Sequence, residues 1–392
     1  MRLPLILVIP LLLLNILVDW YICRAVKERC SGRFLTRFAT WSSVLLSVAF
    51  IVIIALPKRD GNNSSLLRLM WCLYAYLTVY IGKYIFVIFD LLSKLPCLFR
   101  RKRIKWLGKC GAALGVVTFL LMCYGVANRH NIDVNEVEIA DSSLPASFDG
   151  YRILQLSDIH TGSFGTDTTY LAKVVDTINR LKPDVVLFTG DIVNRRSTEL
   201  EPFTGVLSHI DAPVYSVLGN HDYGDYYNWN SPQEKADDRR HLAELQRSMG
   251  WKLLNNKTAI VRRGTDSIAI IGVENIGDPP FPVYGDLEKA YSTPADSTFK
   301  ILMSHNPAHW VDDICGAADK NIALTLSGHT HAMQCELFGL SPAALRYKTW
   351  GGLYGEDERN RLYVNIGLGE VGFPARIGAT PELTLITLKN KQ

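Results

Sequence analysis

The tetrapeptide Gly-Asn-His-Asp at residues 219–222 places an amide, an imidazole and a carboxylate directly after a glycine. The apolar run at residues 214–218 precedes it and predicts a buried strand, so the three polar side chains lie where a strand ends. Active sites of open α/β sheets gather at the carboxyl ends of strands. Asn and Asp are also common in turns, so this tetrapeptide alone is equally compatible with an ordinary turn.

Four other apolar segments beyond residue 150 also end in carboxylates or imidazoles. Five such endings in one region are difficult to explain as turns, because core packing does not favour His at strand ends and an isolated buried carboxylate is costly. A pair of divalent cations removes both difficulties. The candidate metal ligands at the five strand ends are Asp158, His160, Asp191, Asn220, His305, His329 and His331.

This mixture of carboxylate and imidazole donors suits Mn, Zn or Fe. If Asp191 bridges two ions, the seven candidates give each ion four protein ligands. Two such ions ~3.5–4 Å apart activate a bound water and stabilise a displacement at phosphorus. The sequence has no Gly-x-Ser-x-Gly segment to present a serine nucleophile. It therefore predicts a hydrolase that relies on metal ions.

Strand and helix patterns alternate in the region that holds these candidates, after an alternating segment at residues 134–139 that predicts an edge strand. Such alternation is typical of a layered α/β fold. Strands are predicted at residues 151–156, 184–188, 214–218, 253–261, 267–273, 300–303, 322–326, 362–366 and 383–388, and helices at residues 168–181, 200–209 and 233–249.

The first third of the chain differs from the rest in charge and hydrophobicity. Residues 1–127 carry 17 Lys and Arg against 4 Asp and Glu, whereas the remainder carries 25 against 34. Four apolar runs in this part, at residues 3–22, 38–56, 66–92 and 111–127, approach or exceed the ~20 residues that a helix needs to cross a bilayer. We therefore expect a membrane region at residues 1–127, a linker and edge strand at residues 128–149, and a catalytic domain at residues 150–392.

The basic residues of the membrane region are concentrated in its first and third loops, and the second loop holds few. The positive-inside rule places the first and third loops in the cytoplasm, so the catalytic domain is expected to be extracytoplasmic. Basic residues that flank apolar runs indicate membrane orientation and argue against a nucleic-acid partner. Lys83 falls within the third run, where we expect a structural pair or a snorkelling side chain rather than a functional charge.

Of the eight cysteines, six lie before residue 127, where they are expected to act as packing residues. Cys315 and Cys335 lie beyond it, and two unpaired core thiols are favoured over a disulfide.

The combined motifs, in their order along the chain, resemble the signature of the calcineurin-like metallophosphoesterases, and the flanking segments resemble the branch of predicted phosphohydrolases typified by YkuE and YaeI. The resemblance covers about residues 134–388. It implies a four-layer α-β-β-α sandwich, with two sheets between outer helices. The segments that carry it are Asp158-x-His160, Gly190-Asp191, Gly219-Asn220-His221-Asp222, His305 and Gly328-His329-x-His331.

The same resemblance implies a role for each residue. Asp191 would be shared by two metal ions, and a hydroxide bridging the ions would attack phosphorus. His221 would protonate the leaving oxygen or stabilise the transition state, and Asp222 would orient the His221 ring. One metal would be held by Asp158, His160, Asp191 and His331, and the other by Asp191, Asn220, His305 and His329.

Three features leave alternatives open. Where many of these proteins have a Gly-Gly-Gln-like segment, this chain has Ala332-Met333-Gln334, and we expect the bulkier Met333 to narrow the substrate entrance. The aromatic segment at residues 223–229 would either cover a base or acyl chain or form an ordinary surface loop. Arg376 would contact a substrate phosphate or form a structural salt bridge.

These observations predict a membrane-anchored phosphoesterase whose substrate is a phosphomonoester or phosphodiester, attached to a lipid or to an envelope polymer. One alternative is a pyrophosphatase acting on a nucleotide-linked lipid precursor, which requires a catalytic domain on the cytoplasmic side. Another is a catalytically silent membrane sensor or scaffold, which would be expected to lack ligands, whereas all seven are present.

Overall fold

A computed structural model of the chain describes residues 5–29, 32–55, 63–279, 281–291, 298–316, 322–355 and 360–391. The chain divides into two compact units. We call Met1–Ala127 with Gly372–Ala375 the membrane unit, and Asn128–Val371 with Arg376–Gln392 the globular unit.

The membrane unit consists of four long helices, and a short 3₁₀ helix at Leu95–Phe99 follows the third. Each of the four is long and apolar enough to cross a membrane, which agrees with the four predicted spans. The helices extend past the apolar runs because flanking polar and basic residues continue the helical turns. Their bounds are α1 (Leu5–Arg29), α2 (Arg33–Ala55), α3 (Asn63–Lys94) and α4 (Lys105–Asn128).

Polar side chains inside the membrane unit are paired with one another. The Lys83 ammonium lies 2.6 Å from the Asp19 carboxylate, which also accepts a hydrogen bond from Tyr80 at 2.7 Å. The pairing between α1 and α3 agrees with the structural role expected for Lys83. A second buried carboxylate, Asp90, is 2.6 Å from Arg29 and also accepts a hydrogen bond from Arg103.

The globular unit is built on two six-stranded sheets, ordered β1-β12-β2-β3-β4-β5 and β10-β11-β9-β8-β7-β6. The strands β2, β3 and β4 run parallel to one another, as do β7, β8 and β9. The strands are β1 (Asp133–Asp141), β2 (Arg152–Leu156), β3 (Val185–Phe188), β4 (Val214–Ser216), β5 (Lys252–Leu253), β6 (Lys257–Arg263), β7 (Asp266–Gly272), β8 (Phe299–Met303), β9 (Leu324–Ser327), β10 (Gly352–Tyr354), β11 (Arg361–Val364) and β12 (Glu382–Asn390).

Helices cover the outer face of each sheet. A buried apolar cluster from both sheets, including Ile153, Leu187 and Ile301, fills the space between them. A second cluster packs α5 and α7 on the first sheet, and a third packs α8 and a π-helix at Trp310–Ile314 on the second. The predicted four-layer α/β class is confirmed. The helices are α5 (Thr169–Leu181), α6 (Thr204–Leu207), α7 (Pro232–Ser248) and α8 (Leu287–Tyr291).

Two predicted elements are wrong in detail. The helix expected at residues 200–209 is instead two 3₁₀ turns, Ser197–Glu199 and Glu201–Phe203, followed by the single turn of α6. Pro202 lies within the second turn, and proline lacks the N–H that a continuing helix needs. The strand expected at residues 253–261 is two strands, because β5 pairs with the first sheet and β6 with the second.

Of the two cysteines beyond the membrane region, Cys315 is exposed and Cys335 is half-buried, and both are free thiols. The expectation of unpaired thiols therefore agrees with the structure, but Cys315 is not a core residue.

Candidate metal centre

All seven predicted ligands follow directly from the carboxyl ends of parallel strands. β2, β3 and β4 deliver ligands from the first sheet, and β8 and β9 deliver them from the second. Apart from Arg152 at the start of β2, the residues of these strands are buried, and parallel strands buried on both faces are mostly apolar. The side chains of the strands therefore stay in the core, and the polar residues come together beyond their ends.

Three of the ligands, Asp158, His160 and His331, form a first group whose donor atoms lie within 4.8 Å of one another. His331 Nε2 is 3.2 Å from Asp158 Oδ1 and 3.0 Å from His160 Nε2. All three residues are buried. Two imidazoles and one carboxylate at this spacing could hold one metal ion.

Asp191, His305 and His329 form a second group with the same spacing. The amide oxygen of Asn220 lies 2.9 Å from His329 Nδ1 and 3.1 Å from His305 Nε2. Asn220 is therefore brought to the second group, as predicted.

Asp191 lies between the two groups. Its Oδ2 is 3.1 Å from His305 Nε2 in the second group and 3.7 Å from His160 Nε2 in the first. One carboxylate can thus reach both groups, which is the geometry that a shared ligand requires.

The electrostatics of the site suit cations. Burial, reinforced by the neighbouring His305, lowers the pKa of His329 to about 4, and burial also lowers the pKa of His160 and of His331. Burial is the largest single influence on the pKa of Asp158 and raises it, but the charge and hydrogen bond of His331, together with the charge of His305, hold that pKa below its usual range. Neutral imidazoles and ionised carboxylates are the forms that bind metal.

His305 differs from the other imidazoles. Burial is the largest single influence and lowers its pKa, but the Asp191 carboxylate 3.1 Å away, together with Asp158 and the carbonyl of Thr189, raises the pKa to about 9. A proton on His305 thus partly compensates Asp191 when no cation is present. A cation would replace that proton.

Five of the seven candidates adopt positive φ, a conformation that costs L-residues other than Gly. Strain of this kind, of order 1–3 kcal/mol per residue, is concentrated at functional sites. The left-handed backbone turns consecutive side chains toward one point instead of alternating them. The five residues and their φ values are Asp158 (52°), His160 (50°), Asp191 (61°), His329 (76°) and His331 (51°).

Two motif glycines leave room for the carboxylates. A Cβ at Gly219 would lie 2.2 Å from Asp191 Oδ1, and a Cβ at Gly328 would lie 2.2 Å from Asp158 Oδ2. Any side chain at either position would push a carboxylate out of its group. The glycines in these motifs therefore serve the ligand geometry.

His221 lies outside both groups but next to the first, with its ring centroid 4.8 Å from that of His160. Its Nδ1 is 2.7 Å from the carbonyl oxygen of Asn194, and its ring stacks on Tyr226 at 4.2 Å. Nδ1–H donates to that carbonyl, so Nε2 is the ring nitrogen left to exchange a proton.

Asp222 does not take the predicted position beside the His221 ring, whose Nδ1 faces Asn194 instead. Its carboxylate accepts backbone N–H groups of Asp191, Ile192, Val193 and Gly219, at 2.8–3.2 Å. Burial, then the charge of Asp191, raises its pKa to about 7. Asp222 therefore holds together the loops that carry Asp191 and Asn220.

Two tyrosines at the site were not predicted. Tyr226 accepts a hydrogen bond from Asn220 Nδ2 at 2.9 Å, which turns the amide oxygen toward the imidazoles of the second group. Tyr347 Oη lies 3.2 Å from His329 Nε2, on the opposite side of the ring from Nδ1. The aromatic segment at residues 223–229 signalled Tyr226, whereas nothing in the sequence pattern signalled Tyr347.

Arg376 serves neither of its two predicted purposes. It is fully buried, and its guanidinium donates to the carbonyl oxygens of Gly369, Ile366 and Ala379. Its Nη2 also lies 3.2 Å from His331 Nδ1. Arg376 thus supports the loop beneath the first group from inside.

Ala332, Met333 and Gln334 all have positive φ, between 47° and 54°. This geometry explains why glycines are common at this place in the proteins that the motifs resemble, since Gly adopts positive φ without a steric penalty. Met333 is 41% exposed, and its effect on the substrate entrance stays a prediction.

Comparisons with known proteins match both parts of the chain. A family model described as calcineurin-like phosphoesterase matches residues 151–333. A second, described as the transmembrane domain of a probable calcineurin-like phosphoesterase, matches residues 1–129.

Three curated relatives are informative. A transmembrane protein with metallophosphoesterase domain from Danio rerio is 34% identical over 286 residues, which cover 70% of this chain but only 61% of that relative. The metallophosphoesterase YkuE of Bacillus subtilis, named as uncharacterized, is 32% identical over 281 residues, which cover 68% of this chain and 90% of that protein. The UDP-2,3-diacylglucosamine pyrophosphatase LpxG of Chlamydia trachomatis is 29% identical over 299 residues, which cover 62% of this chain and 86% of LpxG.

Proposed function

Because the chain belongs to the calcineurin-like metallophosphoesterase family, we propose that it is a membrane-anchored phosphoesterase that works with two divalent metal ions. The observation that carries the proposal is the position of Asp191 Oδ2, within 3.7 Å of a donor in each of two adjacent groups. The donor set favours Mn, Zn or Fe.

The proposed ligands are those named from the motifs. Asp158, His160 and His331 hold one ion, His305, His329 and Asn220 hold the other, and Asp191 is shared. When bound, the two ions act as Lewis acids toward phosphoryl oxygens and lower the pKa of a coordinated water. The chain itself orients these ligands through Tyr226 and Tyr347.

His221 is proposed to give a proton to the leaving oxygen of the ester. Its Nδ1–H is committed to the carbonyl of Asn194, and Tyr226 stacks on its ring, so Nε2 has a fixed direction. Positioned general acids of this kind contribute about 10²–10⁴-fold to a rate. Asp222 contributes indirectly, through the two loops that it joins.

The catalytic domain is proposed to face the extracytoplasmic side and to act on a phosphate ester attached to a lipid or to an envelope polymer. The basic first and third loops of the membrane unit support this orientation. The four apolar helices would hold the catalytic domain at a membrane, where a substrate of this kind lies.

The full-length protein in detergent, supplied with Mn²⁺, should hydrolyse an aryl phosphomonoester or phosphodiester. His221→Ala should keep both metal ions and lower turnover by about 10²-fold or more. Asn220→Ala should lower metal content instead. His241→Ala serves as the matched control, because His241 belongs to neither group and its side chain is 40% exposed.

Two results would overturn these assignments. No hydrolysis of either ester by protein shown to carry two metal ions would remove the enzymatic proposal and favour the silent sensor or scaffold. Loss of metal from His221→Ala would make His221 a ligand rather than a proton donor.

The similarity to LpxG favours a second candidate, a pyrophosphatase acting on a nucleotide-linked lipid precursor. For this activity we expect the catalytic domain at the cytoplasmic face. Reporter fusions at the carboxyl terminus decide the orientation. A cytoplasmic terminus, together with release of a nucleoside monophosphate from a UDP-linked lipid, would replace the leading proposal.

A further inference from the structure

A short segment of the globular unit exposes large apolar side chains beside the candidate metal centre. Phe338 is fully exposed, Leu345 is 93% exposed and Leu340 is 75% exposed. We call residues 337–345 the apolar lip. Large apolar side chains that are exposed close together in the chain mark a candidate protein–protein or membrane interaction surface.

The exposure of the apolar lip is built into its backbone. Leu337 and Leu340 exchange two backbone hydrogen bonds, at 2.9 and 3.1 Å, and so close a tight turn. Phe338 and Gly339 occupy the turn with φ values of 56° and 75°. A bulky residue rarely adopts positive φ. The fold thus holds an aromatic ring outward at the tip of a hydrogen-bonded turn.

The apolar lip is braced against the loop that carries His329 and His331. Ser341 Oγ donates to the carbonyl of Ala332 at 2.6 Å, directly after His331. Tyr347, two residues past the lip, contacts His329 Nε2 at 3.2 Å. A surface that the apolar lip contacts would therefore lie at a fixed distance from the metal centre.

Charge around the apolar lip suits a lipid surface. Residues 333–350 contain two basic residues, Arg346 and Lys348, and one acidic residue, Glu336. Apolar and aromatic side chains bordered by basic ones are typical of segments that lie in the bilayer interface. Arg346 is exposed at the edge of the lip, where it pairs with Asp278.

The globular unit is tethered closely to a bilayer in every copy of the protein. The apolar helix α4 ends at Asn128, and β1 of the globular unit begins at Asp133. The four intervening residues can span at most roughly 14 Å. A lipid surface is therefore a permanent neighbour of the globular unit, whereas a protein partner would have to be recruited.

We propose that the apolar lip inserts into the headgroup region of the bilayer in which the same chain is anchored. Phe338, Leu340 and Leu345 enter the lipid interface, and Arg346 and Lys348 lie at the level of anionic headgroups. The consequence for catalysis rests on the proposed function: the metal centre is held beside phosphates at headgroup depth, so the substrate class is a phosphate ester on a membrane lipid.

The test places a fluorescent amino acid at position 338 of the full-length protein in nanodiscs of phosphatidylcholine and phosphatidylglycerol that carry a quencher near the top of the acyl chain. The same probe at position 260 is the control, because Ile260 is a 37% exposed apolar residue on the edge strand β6. Interfacial side chains reach roughly 5–10 Å into the boundary, so we expect at least about twofold stronger quenching at 338.

Quenching at 338 that is no stronger than at 260 would overturn the proposal. Nanodiscs that hold one copy exclude contact with a second copy of the chain, so protection of the probe only at higher copy number would identify a dimer surface instead. The variant Leu345→Glu should keep its metal content and reduce quenching at 338. Unchanged quenching in Leu345→Glu would also contradict insertion.

The quenching measurement needs no hydrolysis. Strong quenching together with no hydrolysis of an aryl phosphate would preserve the bilayer contact and remove the phosphoesterase proposal. Hydrolysis without quenching would preserve the phosphoesterase proposal and remove the bilayer contact.

Discussion

Buried carboxylates occur in both units, but the partners that surround them differ. In the membrane unit, Asp19 lies 2.6 Å from the Lys83 ammonium, and Asp90 lies within 4 Å of Arg29, Lys94 and Arg103. In the globular unit, the described residues give Asp158 and Asp191 only imidazoles as ion-pair partners, with backbone N–H groups beside them.

In the membrane unit, the chain itself compensates the buried carboxylates. In the globular unit, their compensation depends on titratable imidazoles or on a bound ligand. A buried carboxylate with a Lys or Arg is compensated by the chain itself, and its role is to join helices. Asp158 and Asp191 lie among largely neutral imidazoles, and the proton on His305 compensates Asp191 only in part. Divalent cations would replace that proton and complete the compensation.

The largest expected effect comes from removing the carboxylate between the two groups. Asp191→Asn should lower metal content and reduce ester hydrolysis by more than the roughly 100-fold that loss of an outer-shell partner causes. In the presence of a chelator, the same variant should melt at a lower temperature than the wild type, because it removes the carboxylate that pairs with the protonated His305. Metal analysis and thermal unfolding with and without chelator measure both effects.

Asp176→Asn is the control for this comparison, because Asp176 is exposed on α5. A chelated Asp191→Asn protein that melts above the wild type would show that the proton on His305 does not compensate Asp191.

A smaller effect is expected in the membrane unit. Asp19→Asn leaves the Lys83 ammonium, which is 17% exposed, without its carboxylate. Loss of one partner of a buried pair costs about 3–5 kcal/mol, and the partial exposure of Lys83 reduces this to about 2 kcal/mol. Unfolding of the full-length protein in a denaturing detergent measures the loss, and metal content should not change.

The double variant Asp19→Asn with Lys83→Met should recover most of that stability, because it removes the remaining charge. Equal stability of the single and double variants would mean that Lys83 reaches solvent by itself, and that the pair does not join α1 to α3.

A third effect concerns Glu370, a buried carboxylate of the globular unit that has a basic partner, as the carboxylates of the membrane unit do. Burial raises the pKa of Glu370 to about 7, although Arg129 lies 3.1 Å away and opposes the shift. A carboxyl whose pKa is higher in the folded state gives its full stability below its unfolded pKa of about 4.5, and loses it as the pH rises through about 7.

Glu370→Gln should therefore gain stability relative to the wild type by about 2 kcal/mol between pH 5 and pH 8. Denaturant unfolding of both proteins at the two pH values measures the difference. A gap that is the same at both pH values would place Glu370 with the compensated carboxylates.

Much of the site followed from residue order. The strand ends at Asp158, Asp191 and Asn220 were predictable because apolar runs and polar endings alternate along the chain. The role of Asp222 was not predictable, since its bonds to Ile192 and Val193 join loops about thirty residues apart. Neighbours in sequence suggested a contact with His221 that the folded loops do not make.

The sequence by itself determined the two-part organisation, the α/β class, the family and the identity of the candidate ligands, because hydrophobic runs, periodicity and residue type are local properties. Only the tertiary structure decided the distances between the donors, that Asp222 joins two loops, that Tyr226 and Tyr347 orient ligands, and that Arg376 is buried. These facts depend on distances between residues far apart in the chain and on left-handed backbone at the strand ends, and neither is encoded in a local pattern.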